Sequence, residues 1–209
     1  MRHLLPLFVL ACNPAAEPVP PAADRPLDAD EVRFETRVGA FVIEVDREAA
    51  PATAANFLEL VDSGFYDGRD GAGATLVHRV VPGFVVQLGG FVEGLVPKPS
   101  ERQVPYEGDN GRSNLRGTVG MARLDDPDSA STQFYVNLGD NGSLDHRDPR
   151  AGYAVFGEVV EGLPVLHALA TAEIDKSAAM PSVPARDIVV DEALRGSVGA
   201  PPDTGTAFP

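Results

Sequence analysis

The sequence predicts one mostly β domain with two helices and a tail at each end. Three observations carry this reading. Short apolar runs recur through the middle of the chain, each bounded by Gly, Pro, Asn or Asp. Only two segments repeat their apolar residues at helical spacing. Residues 13–30 and 197–209 are instead proline-rich or glycine-rich. A length of 209 residues suits one domain plus tails. No internal repeat is visible at the roughly 20–50 residue periods of solenoids.

The elements follow in order. Val32-Arg33-Phe34-Glu35-Thr36 alternates apolar and polar residues, as a half-buried strand does. Val38-Gly39-Ala40 turns the chain into a second strand over residues 41–45. Pro51 stands where a first helical residue tolerates proline. Ala54, Phe57, Leu58 and Val61 then fall at i, i+3, i+4 and i+7, giving a helix one apolar face. Gly64 stands where a glycine ends such a helix. Strands over residues 75–81 and 84–88 flank the turn Pro82-Gly83. Four more are expected near residues 118–122, 133–137, 153–159 and 186–194. A second helix starts near Pro164, with Val165, Leu166 and Leu169 inward. Many short strands with two helices fit a closed antiparallel barrel with a helix over each open end.

Composition narrows the function classes. At 44% hydrophobic the chain can bury a sizeable core. Its formal charge is −14 and it has no basic stripe, which argues against nucleic acid as a partner. The single cysteine, Cys12, excludes an intrachain disulfide. Its place is informative. Met1-Arg2-His3 is a short basic start, and the apolar run 4–11 that follows is too short to span a bilayer. Val9-Leu10-Ala11-Cys12 resembles a bacterial lipobox. We therefore expect residues 1–11 to be a lipoprotein signal peptide and Cys12 to be lipidated. Residues 12–30, with prolines at 14, 18, 20, 21 and 26, read as an extended tether. Residues 197–209 read as a disordered tail. The domain over 31–196 would then face the periplasm of a bacterial envelope. Asn13 after the cysteine favours the outer membrane, by analogy with lipoproteins. The lipid would be its sole contact with the membrane, and a monomer is expected.

The densest chemical signal is His78-Arg79-Val80-Val81-Pro82-Gly83-Phe84-Val85-Val86-Gln87. It sets a cation, an aromatic ring and an amide across a tight turn between two strands. Side chains alternate faces along a strand, so one face of the hairpin can present all three. None of the three is an ordinary acid, base or nucleophile. The set suits a reaction that needs a donor beside an apolar slot and makes or breaks no bond.

This stretch resembles the signature of the cyclophilins, the peptidyl-prolyl cis/trans isomerases. Other stretches agree in order: Asn56-Phe57, Ser63-Gly64-Phe65-Tyr66-Asp67, and Arg116-Gly117-Thr118-Val119-Gly120-Met121-Ala122-Arg123. After them come Ser131-Thr132-Gln133-Phe134-Tyr135-Val136-Asn137 and Tyr153-Ala154-Val155-Phe156-Gly157. The likeness spans about residues 32–194 and is nearest to the short bacterial periplasmic branch. It implies a closed eight-stranded antiparallel barrel capped by two helices. It also implies isomerase activity without metal or other cofactor, acting on proline-containing polypeptides, unfolded or with exposed X-Pro loops.

The resemblance assigns roles residue by residue. Arg79 matches the catalytic arginine, which donates toward the prolyl nitrogen. Phe84, Val85, Tyr135 and Leu144 match the proline pocket, with Phe84 as its floor. Gln87 and Gln133 match amides that hold the substrate backbone and the arginine. Ala122 and Arg123 match the strand edge that pairs with substrate, Arg123 by its main chain alone, since many members carry asparagine there. Tyr153 stands where others have histidine. Val85 replaces a usual methionine and Tyr135 a usual phenylalanine, so the tyrosine hydroxyl needs a partner. Two departures are larger. Ser143 occupies the place of an aromatic residue on the pocket rim. Leu88 replaces a usual glycine before Gly89-Gly90, so its side chain needs room or a different backbone.

Rival readings have less support. The four histidines, His3, His78, His146 and His167, lack metal-ligand spacing. His78 reads as a satisfied core histidine. Asp125-Asp126-Pro127-Asp128 and Asp67-Gly68-Arg69-Asp70-Gly71 lack the spacing of a calcium loop and read as solvated turns. No Gly-x-Ser-x-Gly elbow is present, which leaves hydrolases without a motif. The alternative kept open is a non-catalytic proline-binding or holdase module on the same fold.

Overall fold

The structure, a computed structural model, describes residues 25–98 and 100–196. The signal peptide, Cys12, most of the tether and the tail over 197–209 lie outside the described residues. No helix among the described residues is long and apolar enough to cross a membrane.

Eight strands form one antiparallel sheet. They are β1 (Glu31–Thr36), β2 (Gly39–Val45), β3 (Val77–Val81), β4 (Val85–Leu88), β5 (Thr118–Met121), β6 (Phe134–Asn137), β7 (Val155–Glu161) and β8 (Glu192–Arg195). Their order across the sheet is β8-β1-β2-β7-β5-β6-β4-β3. The helices are α1 (Pro51–Asp62) and α2 (Leu163–Leu169). The mostly β reading with two helices holds, as do the strand count and their antiparallel pairing.

The barrel is not fully closed. The edge strands β3 and β8 share no ladder. The chain before β8 bridges to β3 instead. Val77 N–H donates to Ile188 O and Val190 N–H to Thr75 O, both at 2.9 Å, with one bridge between Leu76 and Val189. At Asp191 the chain changes sides, and its N–H donates to Glu35 O on β1. The single strand expected over 186–194 is therefore split. Its first part serves the seam and its second part pairs with β1. The sheet curls into a half-barrel as a result.

The core is aromatic. Phe34 stacks on Phe41 at 5.3 Å, and Phe57 meets Phe134 and Phe156 at 5.3 and 5.0 Å. Phe57 comes from α1, whose Ala54, Leu58 and Val61 are also buried, as the spacing predicts. Gly64 follows the helix with φ +74, the left-handed conformation expected of it. The N-terminus of α1 has no side-chain cap of its own, because Ala50 precedes it. A distant carboxylate does that work: Glu107 accepts from the Ala52 and Thr53 N–H groups at 2.9 and 2.8 Å. In α2, Val165, Leu166 and Leu169 are buried as expected.

Leu88 lies on the inward face of β4 and is fully buried, opposite Phe134 and Val77. The room it needs is core volume, so the backbone continues as ordinary strand until Gly89.

Candidate active site

The β3–β4 hairpin sets the site. Its register pairs Arg79 with Gln87 and Val81 with Val85 across the turn. Phe84 follows the turn, where its N–H donates to Val81 O at 3.0 Å. Its own carbonyl accepts from Leu138 N–H at 2.8 Å and Asn141 Nδ2 at 2.9 Å, tying the turn to the chain after β6. The Arg79 guanidinium carbon lies 5.7 Å from the Phe84 ring centre, within cation–π range. Its Nη1 donates to Gln87 Oε1 at 3.4 Å, a long contact that leaves the cation able to take another partner. Gln87 Nε2 in turn donates to Gln133 Oε1 at 3.1 Å. The three side chains thus form a short relay along one edge.

A pocket of about 290 Å³ opens beside this edge, lined by Arg79, Phe84, Val85, Gln87, Ala122, Arg123, Tyr135, Leu144 and Tyr153. Of the residues the resemblance assigns to catalysis or substrate binding, Gln133 alone does not line it. Gln133 faces an adjoining cavity of about 350 Å³ that shares Gln87, Ala122 and Arg123 with the pocket. The Ala122 N–H donates to Gln133 O at 2.8 Å, where the chain leaves β5. Tyr135 is buried, and its hydroxyl donates to Asn114 Oδ1 at 2.7 Å. Burial raises its pKa, with smaller upward contributions from Tyr153 and Asp145. Its ring meets Tyr153 edge-on at 5.9 Å.

Two glycines make room for this arrangement. A Cβ on Gly120, which pairs with Tyr135 across β5–β6, would lie 2.3 Å from the tyrosine Cζ. A Cβ on Gly90 would lie 2.3 Å from the Gln133 amide carbon. Neither distance is tolerable, so both side chains depend on an absent methyl group.

The fold and the motif order have a counterpart among known proteins. The family model "Cyclophilin type peptidyl-prolyl cis-trans isomerase/CLD" matches residues 31–193. The chain belongs to this family. It is 41% identical over 162 residues to peptidyl-prolyl cis-trans isomerase A of Dickeya dadantii, covering 78% of this chain and 82% of that protein. It is 36% identical over 163 residues to peptidyl-prolyl cis-trans isomerase B of Escherichia coli, covering 77% and 96%. Among solved structures it resembles a Cryptosporidium parvum cyclophilin type peptidyl-prolyl cis-trans isomerase crystallised in the presence of the dipeptide Ala-Pro. The TM-score is 0.63 at 24% identity, covering 80% of this chain and 99% of that one. That likeness is one of fold.

Several features of this cyclophilin differ from the expectations. His78 is a buried core histidine, as expected, but it is not fully satisfied, because its Nδ1 has no hydrogen-bond partner. Burial pushes its pKa down to about 4, with Arg79 lowering it further and the Leu76 carbonyl and Gln133 opposing. Its ring meets Phe91 edge-on at 4.8 Å. Ser143 is exposed and does not line the pocket; its carbonyl accepts from Arg150 Nη1 at 2.7 Å. Arg123 contributes its side chain as well as its backbone. Its guanidinium lies over the Tyr153 ring at 4.9 Å and donates to the Gly152 and Ala151 carbonyls at 2.9 and 2.7 Å.

Three supporting residues escaped the sequence reading. Asn114 orients Tyr135, and Asn141 holds the Phe84 carbonyl. Lys98 is buried, with its ammonium donating to Phe65 O and Gly73 O at 2.6 Å each and paired with Asp70 at 2.9 Å. It ties the 64–74 loop to the wall of the adjoining cavity. A loop lysine or asparagine gives no periodic signal, so only a spatial neighbour reveals its role. Asp67 is likewise engaged, accepting from Arg69 and from Ala193 N–H. Among the described residues no cluster of His, Cys, Asp or Glu is arranged to hold a metal ion.

Proposed function

We propose that this cyclophilin accelerates rotation about X-Pro bonds in exported polypeptides, with Arg79 supplying the chemistry. The observation that carries the reading is the placement of the Arg79 guanidinium, the Phe84 ring and the Gln87 amide around one apolar pocket. An X-Pro amide resists rotation by about 18–20 kcal/mol, because the nitrogen lone pair is delocalised into the carbonyl. In the twisted state the nitrogen becomes pyramidal and recovers that lone pair. A fixed donor aimed at it binds the twisted amide more tightly than the planar one, which lowers the barrier. Phe84, Val85, Tyr135 and Leu144 hold the proline ring and supply no competing donor into the slot. Gln87 and Gln133 orient the cation and the substrate backbone. No nucleophile, metal or nucleotide takes part.

The expected assay result is specific. Arg79→Ala should lower kcat/KM on a short X-Pro peptide by roughly 10²–10³, the loss of one aimed donor. EDTA should leave the rate unchanged. Full activity in a folded Arg79→Ala protein would remove Arg79 from the mechanism. Peptide binding without turnover in the wild type would instead establish the holdase alternative.

The proposed setting is the bacterial envelope, with a monomeric domain held at a membrane by acyl chains on Cys12. A basic start, an apolar run and a cysteine before a proline-rich stretch support it. Two or three chains would be needed, since one holds only marginally. Cys12→Ser should block incorporation of labelled palmitate in a bacterial host. A wild-type chain that never takes up the label would be secreted rather than anchored.

A further inference from the structure

Arg25, Arg47, Arg69, Arg102, Arg112 and Arg195 are paired with carboxylates. Arg123 and Arg150 are bonded differently. Each is held by main-chain carbonyls. Arg123 donates to Gly152 O, Ala151 O, Leu124 O and Asp125 O. Arg150 donates to Ser143 O and Asp145 O at 2.7 and 2.8 Å. A carbonyl fixes a guanidinium in place without cancelling its charge. Neither side chain lies within ion-pair distance of a carboxylate among the described residues. Both line an open cavity of about 640 Å³, together with Leu124, Asp125, Ala151 and Tyr153. That cavity shares Arg123 and Tyr153 with the proline pocket, and Arg123 borders the adjoining 350 Å³ cavity as well.

We infer that Arg123 and Arg150 form a charge-reading subsite that favours a carboxylate side chain beside the substrate proline. The inference rests on the isomerase reading, because it places the proline in the 290 Å³ pocket. A chain leaving that pocket toward Tyr153 passes over the two guanidinium groups. Both are already ordered, so little side-chain freedom is lost when they meet a carboxylate. Arg150 is held on the backbone of Ser143, the residue before Leu144 of the pocket wall. Asp125 is the one carboxylate among the cavity's lining residues, and it is the Asp125 main chain that holds Arg123. The Asp145 carboxylate is engaged by the Asn114 N–H and Nδ2 groups. The whole-chain charge of −14 acts at longer range and opposes acidic substrates. Screening at about 0.15 M salt suppresses that opposition beyond about 8 Å, and the local contacts persist.

The test is a set of X-Pro peptides that differ only in Glu, Gln or Lys immediately before the proline, and a second set that differs immediately after it. Both kcat/KM and Kd are measured at about 0.15 M salt. Glu should exceed Lys by about fivefold in one of the two sets, the scale of an exposed ion pair. Arg123→Gln and Arg150→Gln should each bring the Glu-to-Lys ratio toward one. Arg150 is exposed and its loss leaves the pocket walls intact, so it decides the matter if Arg123→Gln misfolds. Equal values for Glu and Lys in both sets would overturn the subsite, as would a preference that survives in the double variant. If no peptide is turned over, the isomerase reading fails, and the Kd ratios still decide the subsite.

Discussion

The Tyr135 hydroxyl donates to Asn114 Oδ1 at 2.7 Å, and that bond fixes a ring that walls the pocket. The same oxygen accepts from Asn137 Nδ2 at 3.2 Å, while the Asn114 N–H and Nδ2 groups donate to Asp145. The pocket wall is therefore tied to a buried polar network rather than to apolar packing alone. A lone phenol there would be costly to bury. Tyr135→Phe should destabilise the fold by about 1 kcal/mol, since Asn114 keeps its second donor. Peptide turnover should change less than twofold, because the ring remains. Chemical denaturation and a peptide assay on the same preparation test both statements.

Gly120→Ala should be worse than Tyr135→Phe. The new methyl would meet the ring carbons of Tyr135 as well as its oxygen, so removing the hydroxyl cannot relieve it. Overpacking of this kind costs about 1–3 kcal/mol. The ring borders the pocket, so a displaced ring intrudes on it and KM should rise more than kcat falls. Pairing Gly120→Ala with Tyr135→Leu should recover part of the stability. Melting temperatures and the KM–kcat split are the measurements.

His78 should make stability depend on pH between about 4 and 6.5. Its folded pKa is lowered to about 4 from an ordinary 6.5, because burial disfavours the cation. Above pH 6.5 both folded and unfolded chains keep it neutral, and its contribution is fully present. As pH falls from 6.5 to 4 the unfolded chain takes up a proton that the folded chain refuses. Stability is lost over that window, by up to about 3 kcal/mol. Below pH 4 this group adds no further loss. Glu31, held low by Arg25, loses its contribution as pH falls from the ordinary carboxylate range through its lower folded value, so its loss lies mostly below the His78 window. Denaturant midpoints at pH 7, 5 and 4 should fall in the wild type and stay flatter between 6.5 and 5 in His78→Gln.

We predict weak cyclosporin binding from Ser143, because the resemblance sets an aromatic rim residue at this position as an apolar wall for that macrocycle, while here the serine is exposed and outside the pocket lining. Burying an aromatic side chain stabilises by about 1.5–3 kcal/mol. This protein should therefore bind cyclosporin at least about tenfold more weakly than a tryptophan-bearing relative. Ser143→Trp should recover part of that affinity, with little change in peptide kcat/KM. Tight inhibition of the natural protein, with no gain in the variant, would take position 143 out of the drug site.

Much of this was legible because the signals are local. Proline and glycine at the ends of α1, and apolar residues at helical spacing between them, need no tertiary knowledge. The Arg79–Phe84–Gln87 spacing works because a tight hairpin fixes which side chains share a face. Non-local facts were illegible for the matching reason. The change of partner at Asp191 depends on where the two sheet edges meet. The capping of α1 by Glu107 joins residues 55 positions apart. The resemblance assigns Arg123 by its main chain alone, and its side chain gains a place only when Gly152, Ala151 and Tyr153 come around it. The unpartnered Nδ1 of buried His78 depends on which groups the fold brings around it, which no sequence pattern encodes.

The pairing of β1 with β8 sets how the domain would answer to a mechanical pull. Val32 faces Arg195, and Gly196 N–H donates to Glu31 O at 3.0 Å, so the chain enters and leaves the domain at the same spot. A force separating those two points loads the β1–β8 hydrogen bonds one at a time, as a zip is opened, rather than all together in shear. The domain should yield at low force when stretched between its ends. A load applied through the N-terminal side alone, with the C-terminal side free, would not open that zip. Attachment at one end therefore spares the strands that carry Arg79, while attachment at both would expose them to peeling.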